Sequence, residues 1–265
     1  MTQPVVQLRR RGFGETMRRD AWWLPPLGVF TVLSSFLVYA TWAAFQNANY
    51  EYGNYLSPFY SPLIFGPPPH GWFAHAPRWL AAISPALLIL PFPAGFRFTC
   101  YYYRGAYYKA FWGDPPSCAV GEARKTYLGE ARFPLVMQNV HRFFLRLAEP
   151  ILLVLAWDVW KALWFVDPAT GTEHFGIGLG TLILTVNVCL LSSYTLGCHS
   201  LRHLIGGRKD ELSKSPALRG GAYACVSCLN RRHMTWAWCS LVSVGFSDLY
   251  VRLCSMGIWS DLRLL

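Results

Sequence analysis

A chain of 265 residues with 53% hydrophobic and only 14% charged residues is a poor candidate for a soluble domain, which carries about 25% charge. Its 24 Lys and Arg against 14 Asp and Glu leave a formal charge of +10, a balance that would suggest nucleic acid in a soluble protein. In a chain with long apolar runs, the same excess marks the side of a membrane that retains cations, so a nucleic-acid partner is not expected.

The first apolar run, about 21–46, is too long for the hydrophobic region of a signal peptide and shows no small-residue cleavage pattern. It reads as a retained transmembrane span. Segment 47–77 follows, rich in Pro, Gly, Tyr and Phe and nearly uncharged, as expected of an ordered cap at the lipid interface. The second span, 79–99, is punctuated by Pro85, Pro91 and Pro93. Neighbouring helices can satisfy the carbonyls that proline frees, so a kinked span is expected. The loop 97–133 is too short for a soluble domain. The third span, 134–164, starts amphipathic with Arg142 and Arg146 and is apolar from Leu147 to Phe165. The fourth and fifth, 175–201 and 234–259, complete an all-α integral membrane chain that reads as one domain over residues 1–265. Each run is long enough to cross about 30 Å of hydrocarbon at 1.5 Å per residue.

Of the 24 cations, 20 fall before span one, between spans two and three, or between spans four and five; Arg78, Lys161, Arg252 and Arg263 lie opposite. The positive-inside rule then places the N-terminus in the cytoplasm and the C-terminus outside, in a multi-pass plasma-membrane protein.

The seven histidines divide by depth. His70, His75 and His174 belong to outer loops, where exposure is the default expectation. His141 opens the third span, His199 and His203 close the fourth, and His233 opens the fifth, all at the cytoplasmic level. Cys100, Cys118, Cys198, Cys225 and Cys228 share that level, whereas Cys189, Cys239 and Cys254 lie inside apolar runs and read as small buried hydrophobes. Taken singly, each signal is weak. Cys225-x-x-Cys228 is half of a zinc or iron–sulfur pattern without a second half. His199 and His203 share a helix face at i, i+4, as metal pairs do, but helix-end histidines near headgroups are commonly interfacial. His141 and His233 begin two different spans at equal depth, and polar side chains in a membrane bundle are costly enough to be functional.

The mixture of donors is the more informative feature. Haem b needs two histidines, whereas a Rieske-type [2Fe–2S] cluster needs two Cys and two His. The loop aromatics interleaved with cations suit an interfacial anchor or protein dock. Tyr102, Arg104, Trp112 and Arg142 are donor types expected at a quinone headgroup.

The motifs TCYYYRGAYYKAFWGDPPSCAV (99–120), GEARFPLVMQNVHRFF (129–144), GCHSLRHLIGGR (197–208) and LNRRHMTWAW (229–238) together resemble the membrane anchor of the actinobacterial and acidobacterial, or type F, succinate dehydrogenases of respiratory complex II. The resemblance covers about 97–252. It implies a haem-free, cytochrome b-like anchor of five helices, with helices 2–5 as a four-helix bundle. It also implies flavoprotein and iron–sulfur subunits docked on the cytoplasmic face, and a possible higher oligomer of the complex. A Rieske-type cluster in the membrane region would pass electrons from succinate to menaquinone or a similar quinone, while the succinate chemistry stays in the partner chains. By the same analogy the cluster ligands are Cys100, Cys118, His141 and His233, with Cys198, His199 and His203 in reserve. Two readings stand as alternatives: a haem b anchor of a succinate dehydrogenase or fumarate reductase, and a non-redox transporter or scaffold.

Overall fold

The structure is a computed structural model that describes residues 12–80, 83–104, 115–123, 126, 129, 131–133, 136–167, 170–207 and 216–265. It is mostly helical, and the chain divides into two compact units, Met1–Ser35 with Arg97–Val140 and Phe36–Phe96 with His141–Leu265. Helix α1, Leu24–Gln46, tolerates Pro25 and Pro26 because they occupy the first turn, where N–H groups have no helical partner. It and α6, Leu179–Leu196, are the two helices that by length and apolarity alone could cross a membrane among the described residues. Helix α5, Val136–Lys161, and α9, His233–Ser255, are long enough at about 39 and 35 Å but carry charged side chains.

The second expected span is interrupted where its prolines fall. Prolines remove the N–H groups that would join its turns, so it forms α2, Pro85–Ile89, and α3, Pro91–Thr99, separated at Leu90. Together they rise only about 22 Å, less than a hydrocarbon core. The fourth expected span also breaks: α6 stops at Leu196, and after Gly197 and Cys198 a new helix, α7, runs His199–Gly206. A further helix, α8, Ala217–Asn230, packs on α7 between the fourth and fifth expected spans. Arg202 donates to Ser227 at 3.1 Å and Arg219 to the Ile205 carbonyl at 2.6 Å, fastening the pair.

In the first unit, the extended N-terminal segment lies along the 115–121 loop. Gly14 N–H donates to the Gly121 carbonyl and Gly121 N–H to that of Glu15. The Arg18 guanidinium donates to the Cys118 carbonyl at 3.0 Å and pairs with Asp20, whose carboxyl it holds below its ordinary pKa. A short helix, α4, Tyr101–Arg104, follows Cys100, and buried Arg97 donates to the Tyr103 hydroxyl at 2.7 Å.

In the second unit, the segment after α1 forms the ordered cap. Strands β1, Glu51–Tyr52, and β2, Tyr55–Leu56, make a hairpin around Gly53, and Leu56, Phe59, Tyr60 and Leu63 bury against Ala43, Ala44 and Ala86. Tyr60 closes α1, donating to the Ala43 carbonyl while accepting from the N–H of Asn47, which holds the left-handed φ of 48° usual after a helix end. Three buried or half-buried carboxylates then pin the cap from below. Asp158 accepts from Ser61; Asp248 accepts from Ser57 and Tyr39 and pairs with Arg252; Asp261 accepts from Tyr55 and Tyr250. A second hairpin, β3 (Trp164–Val166) with β4 (Glu173–Phe175), lies at the same end. The C-terminal tail adds to it through bonds between Ile177 and Leu265 and between Leu179 and Leu262. Gly178 permits the closure: a Cβ there would sit 2.2 Å from the Tyr55 hydroxyl.

Candidate functional site

The buried polar groups of the other end gather around His141. Gly95 of α3 brings that helix against α5, since a Cβ on it would lie 2.2 Å from the Phe144 ring. The close approach stacks Phe96 on His141 at 4.5 Å between ring centres. Phe96 in turn meets Tyr194 of α6 edge-on at 5.5 Å, and Tyr194 stacks on His233 of α9 at 4.9 Å. Two imidazoles from different helices are thereby wedged by two aromatic rings from two further helices.

The break after α6 completes the arrangement. Cys198 is the N-cap of α7, and its sulfur accepts from the Ser200 N–H at 3.3 Å. The positive end of a helix favours negative charge on sulfur, and the thiolate is the form that ligates metals. His141 Nε2 stands 3.0 Å from Cys198 Sγ, with both side chains buried. The His141 ring also hydrogen-bonds the backbone of Phe96, the kind of bond that fixes which nitrogen of a ligating histidine is left for the metal. Asn230 donates to the Gly197 carbonyl at 2.8 Å and holds the break in place.

The sequence candidates separate accordingly. His141, His233 and Cys198 fall within one unit, joined by the ring bridge and the 3.0 Å contact. Cys100 is buried in the other unit, at the junction of α3 and α4. Cys118 is exposed, and the bond from Arg18 engages its carbonyl. His199 and His203 come after the end of α6. They lie exposed on α7 with their Nε2 atoms 3.0 Å apart, and partial burial followed by the charges of His203 and Arg202 pushes the His199 pKa down. Cys225 and Cys228 are exposed on α8. Of the apolar-run cysteines only Cys254 is buried, while Cys189 and Cys239 face outward. His75 and His174 are exposed as expected, but His70 is not.

Of the quinone candidates, half-buried Tyr102 packs edge-on to Tyr103, and exposed Arg142 lies over the Phe143 ring at 5.0 Å. Trp112 and the side chain of Arg104 lie outside the described residues. A residue not singled out from sequence is Trp236, one turn after His233. Its indole nitrogen is buried and meets no acceptor among the described residues. Its only sequence signal is its place in the RRHMTWAW motif.

Among the described residues no three His, Cys, Asp or Glu side chains stand together as a metal-binding group. The donor set at His141 nonetheless has the chemistry of mixed nitrogen and sulfur ligation: a buried imidazole, a helix-capping thiol, and a second imidazole held on the same aromatic bridge.

A family model described as "Actinobacterial succinate dehydrogenase subunit SdhC" matches residues 24–257 of the chain. Among solved structures, the chain is similar to one from the "Mycobacterium smegmatis Sdh1 complex in the apo form", with 42% identity, a TM-score of 0.84 and complete coverage of both chains. No match was found among the curated proteins.

Proposed function

The chain belongs to the actinobacterial succinate dehydrogenase membrane-subunit family, and from that premise we propose that it relays electrons from an iron–sulfur subunit to a quinone through the His141 level. It is a subunit of an enzyme complex and resides in the plasma membrane. The flavoprotein and iron–sulfur partners dock on the cation-rich side, where 20 of the 24 Lys and Arg lie. The arrangement we propose has five spans, an N-terminus in the cytoplasm and spans two to five as a bundle. The kinked α2–α3 pair then serves as the second span.

The observation that carries the electron-relay reading is the 3.0 Å approach of His141 Nε2 to Cys198 Sγ in a buried setting. An imidazole nitrogen aimed at a sulfur favours a mixed His/Cys group over bis-histidine haem. A Rieske-type [2Fe–2S] cluster bound there would supply one-electron transfer at a potential suited to quinone. His141 and His233 are its proposed nitrogen ligands and Cys198 one of its thiolates. The remaining thiolate is proposed from the 99–120 motif as Cys100, which is buried, ahead of Cys118, which is exposed. Trp236 is proposed to donate its buried N–H to a quinone carbonyl; from the sequence alone Tyr102, Arg104, Trp112 and Arg142 remain the proposed headgroup donors, and menaquinone is the expected class of quinone.

The double change His141→Ala with His233→Ala tests the assignment. It is expected to abolish a Rieske-type signal in low-temperature electron paramagnetic resonance, together with quinone reduction, while succinate oxidation by an artificial dye persists. A signal that survives moves the nitrogen ligands to His199 and His203. A wild-type complex with no such signal removes the cluster from the reading.

A further inference from the structure

Positive-inside asymmetry leaves four cations at the end of the chain opposite His141, and what they do there is informative. Arg252 is buried against Asp248, and its charge is consumed by the fold. Two of the others, Lys161 and Arg263, line one cavity of about 1080 Å³ that opens beside the cap. Neither forms a salt bridge among the described residues. Lys161 donates to the Pro69 carbonyl at 3.0 Å, which leaves further ammonium protons available. Arg263 stacks 3.4 Å from the centre of the Phe165 ring and its Nη1 lies 3.4 Å from His174 Nε2, which leaves the Nε–Nη2 edge for bidentate contact with an oxyanion. Two carboxylates also line the cavity: Asp261 is already engaged by Tyr55, Tyr250 and the Gly180 N–H, and Glu173 is exposed to solvent on β4.

The walls of the cavity are of a second kind. Trp157, Trp160 and Trp164 line it, and Leu153, Trp157 and Trp160 form an exposed stripe at i, i+4 and i+7 running back along α5. Tryptophan at a membrane interface sits at headgroup level, with apolar side chains leading from it into hydrocarbon. Lys161 and His141 are twenty residues apart on α5, about 30 Å, the thickness of the hydrocarbon layer. A quinone reduced at the His141 level would not exchange electrons over that distance.

We propose that this cavity binds the phosphodiester headgroup of one membrane phospholipid. The phosphate is held by Lys161 and Arg263, the glycerol lies against the three tryptophans, and an acyl chain follows the Leu153–Trp157–Trp160 stripe. The outer-leaflet lipid so held fastens the cap, the β3–β4 hairpin and the C-terminal tail around one ligand, because each contributes to the wall.

The test uses the whole purified complex. Dioleoyl phosphatidylglycerol is titrated against it in detergent, and retained lipid per chain is counted by native mass spectrometry. Wild type is expected to retain the lipid, and the double variant Lys161→Gln, Arg263→Gln to bind it about thirtyfold more weakly, at roughly one interfacial cation's contribution each. Lys161→Gln alone, a partly exposed site that offers little risk to folding, is expected to weaken it about fivefold. Dye-linked succinate oxidation is expected to be unchanged in both variants, showing that the complex is assembled. Equal retention by wild type and either variant overturns the proposal. So does displacement of the lipid by inorganic phosphate at equal affinity, which would make this a free-phosphate site, or retention of a quinone in the lipid's place.

Discussion

The two ends of the second unit treat buried polarity in opposite ways. At the cap, the principal carboxylates are answered by the chain itself: Asp158 by Ser61, Asp248 by Ser57, Tyr39 and Arg252, Asp261 by Tyr55 and Tyr250. At the other end the buried groups are donors and soft ligands facing one another, His141 against Cys198, with the Trp236 indole N–H lacking an acceptor among the described residues. Charges that are matched internally hold a fold together. A buried indole N–H that meets no acceptor among the described residues is what a ligand would complete. Substitutions at the cap should therefore cost stability and leave electron transfer proportionate to the protein that survives, whereas substitutions at the His141 end should do the reverse.

The largest effect that comparison predicts is at Asp248. Its carboxylate is fully buried, and removing it strands Arg252, 2% exposed, without a counter-charge. Asp248→Ala is expected to destabilise the subunit by about 3–5 kcal/mol, the usual cost of breaking a buried pair from one side. Membranes of the variant would hold little assembled complex by immunoblot, and the remaining complex would reduce quinone at a normal rate per cluster signal. A stable but inactive Asp248→Ala complex would break the division between the two ends.

A smaller effect is expected at Trp236. Phenylalanine keeps the ring packing and removes an N–H that bonds nothing among the described residues, so thermal stability should be unchanged or slightly higher. If the indole serves a quinone carbonyl, Trp236→Phe raises the KM for quinone about tenfold, the worth of a buried hydrogen bond of roughly 1–1.5 kcal/mol. Dye-linked succinate oxidation stays intact. A loss of stability with an unchanged KM would make Trp236 part of the packing.

The same division explains what could be read from sequence. The grouping of His141, His233 and Cys198 was legible because hydropathy places all three near the ends of apolar runs, and the structure brings them into one unit. The partners around them, and those of Asp158 and Asp248, were not legible. Ser57 and Ser61 are ordinary loop residues until the cap folds over α5 and α9. Phe96 and Tyr194 look like any lipid-facing aromatics, and only the close approach at Gly95 makes Phe96 a wall of the site. By the family analogy Cys100 and Cys118 stood ahead of Cys198. The glycine before it was the available signal that α6 ends there and that a sulfur could cap the next helix. Helix α8 is hard to read from sequence because Gly220 and Gly221 break its apolar pattern, and packing on α7 overrides that weak propensity.

The smallest effect concerns His70, expected at the surface and found 3% exposed. Its Nε2 lies 3.2 Å from the Gly53 carbonyl, which requires a proton on that nitrogen, and its Nδ1 is buried with no partner among the described residues. Charging the ring would place a second N–H where nothing accepts it. Burial, aided by the nearby Lys161 charge, accordingly lowers its pKa. A histidine whose folded pKa lies below its unfolded one contributes in full above the unfolded value, near 6.5, and the contribution fades as pH falls from there toward the folded pKa. His70→Gln keeps a donor for Gly53 and cannot be protonated. Between pH 7.5 and pH 5 the wild-type complex is therefore expected to lose about 1 kcal/mol more stability than His70→Gln, read as the difference between their melting temperatures at the two pH values. Carboxylates elsewhere titrate in both proteins and cancel in that difference. An identical pH dependence would mean that the cap opens to solvent around residue 70, and that the matched end is less sealed than its carboxylates indicate.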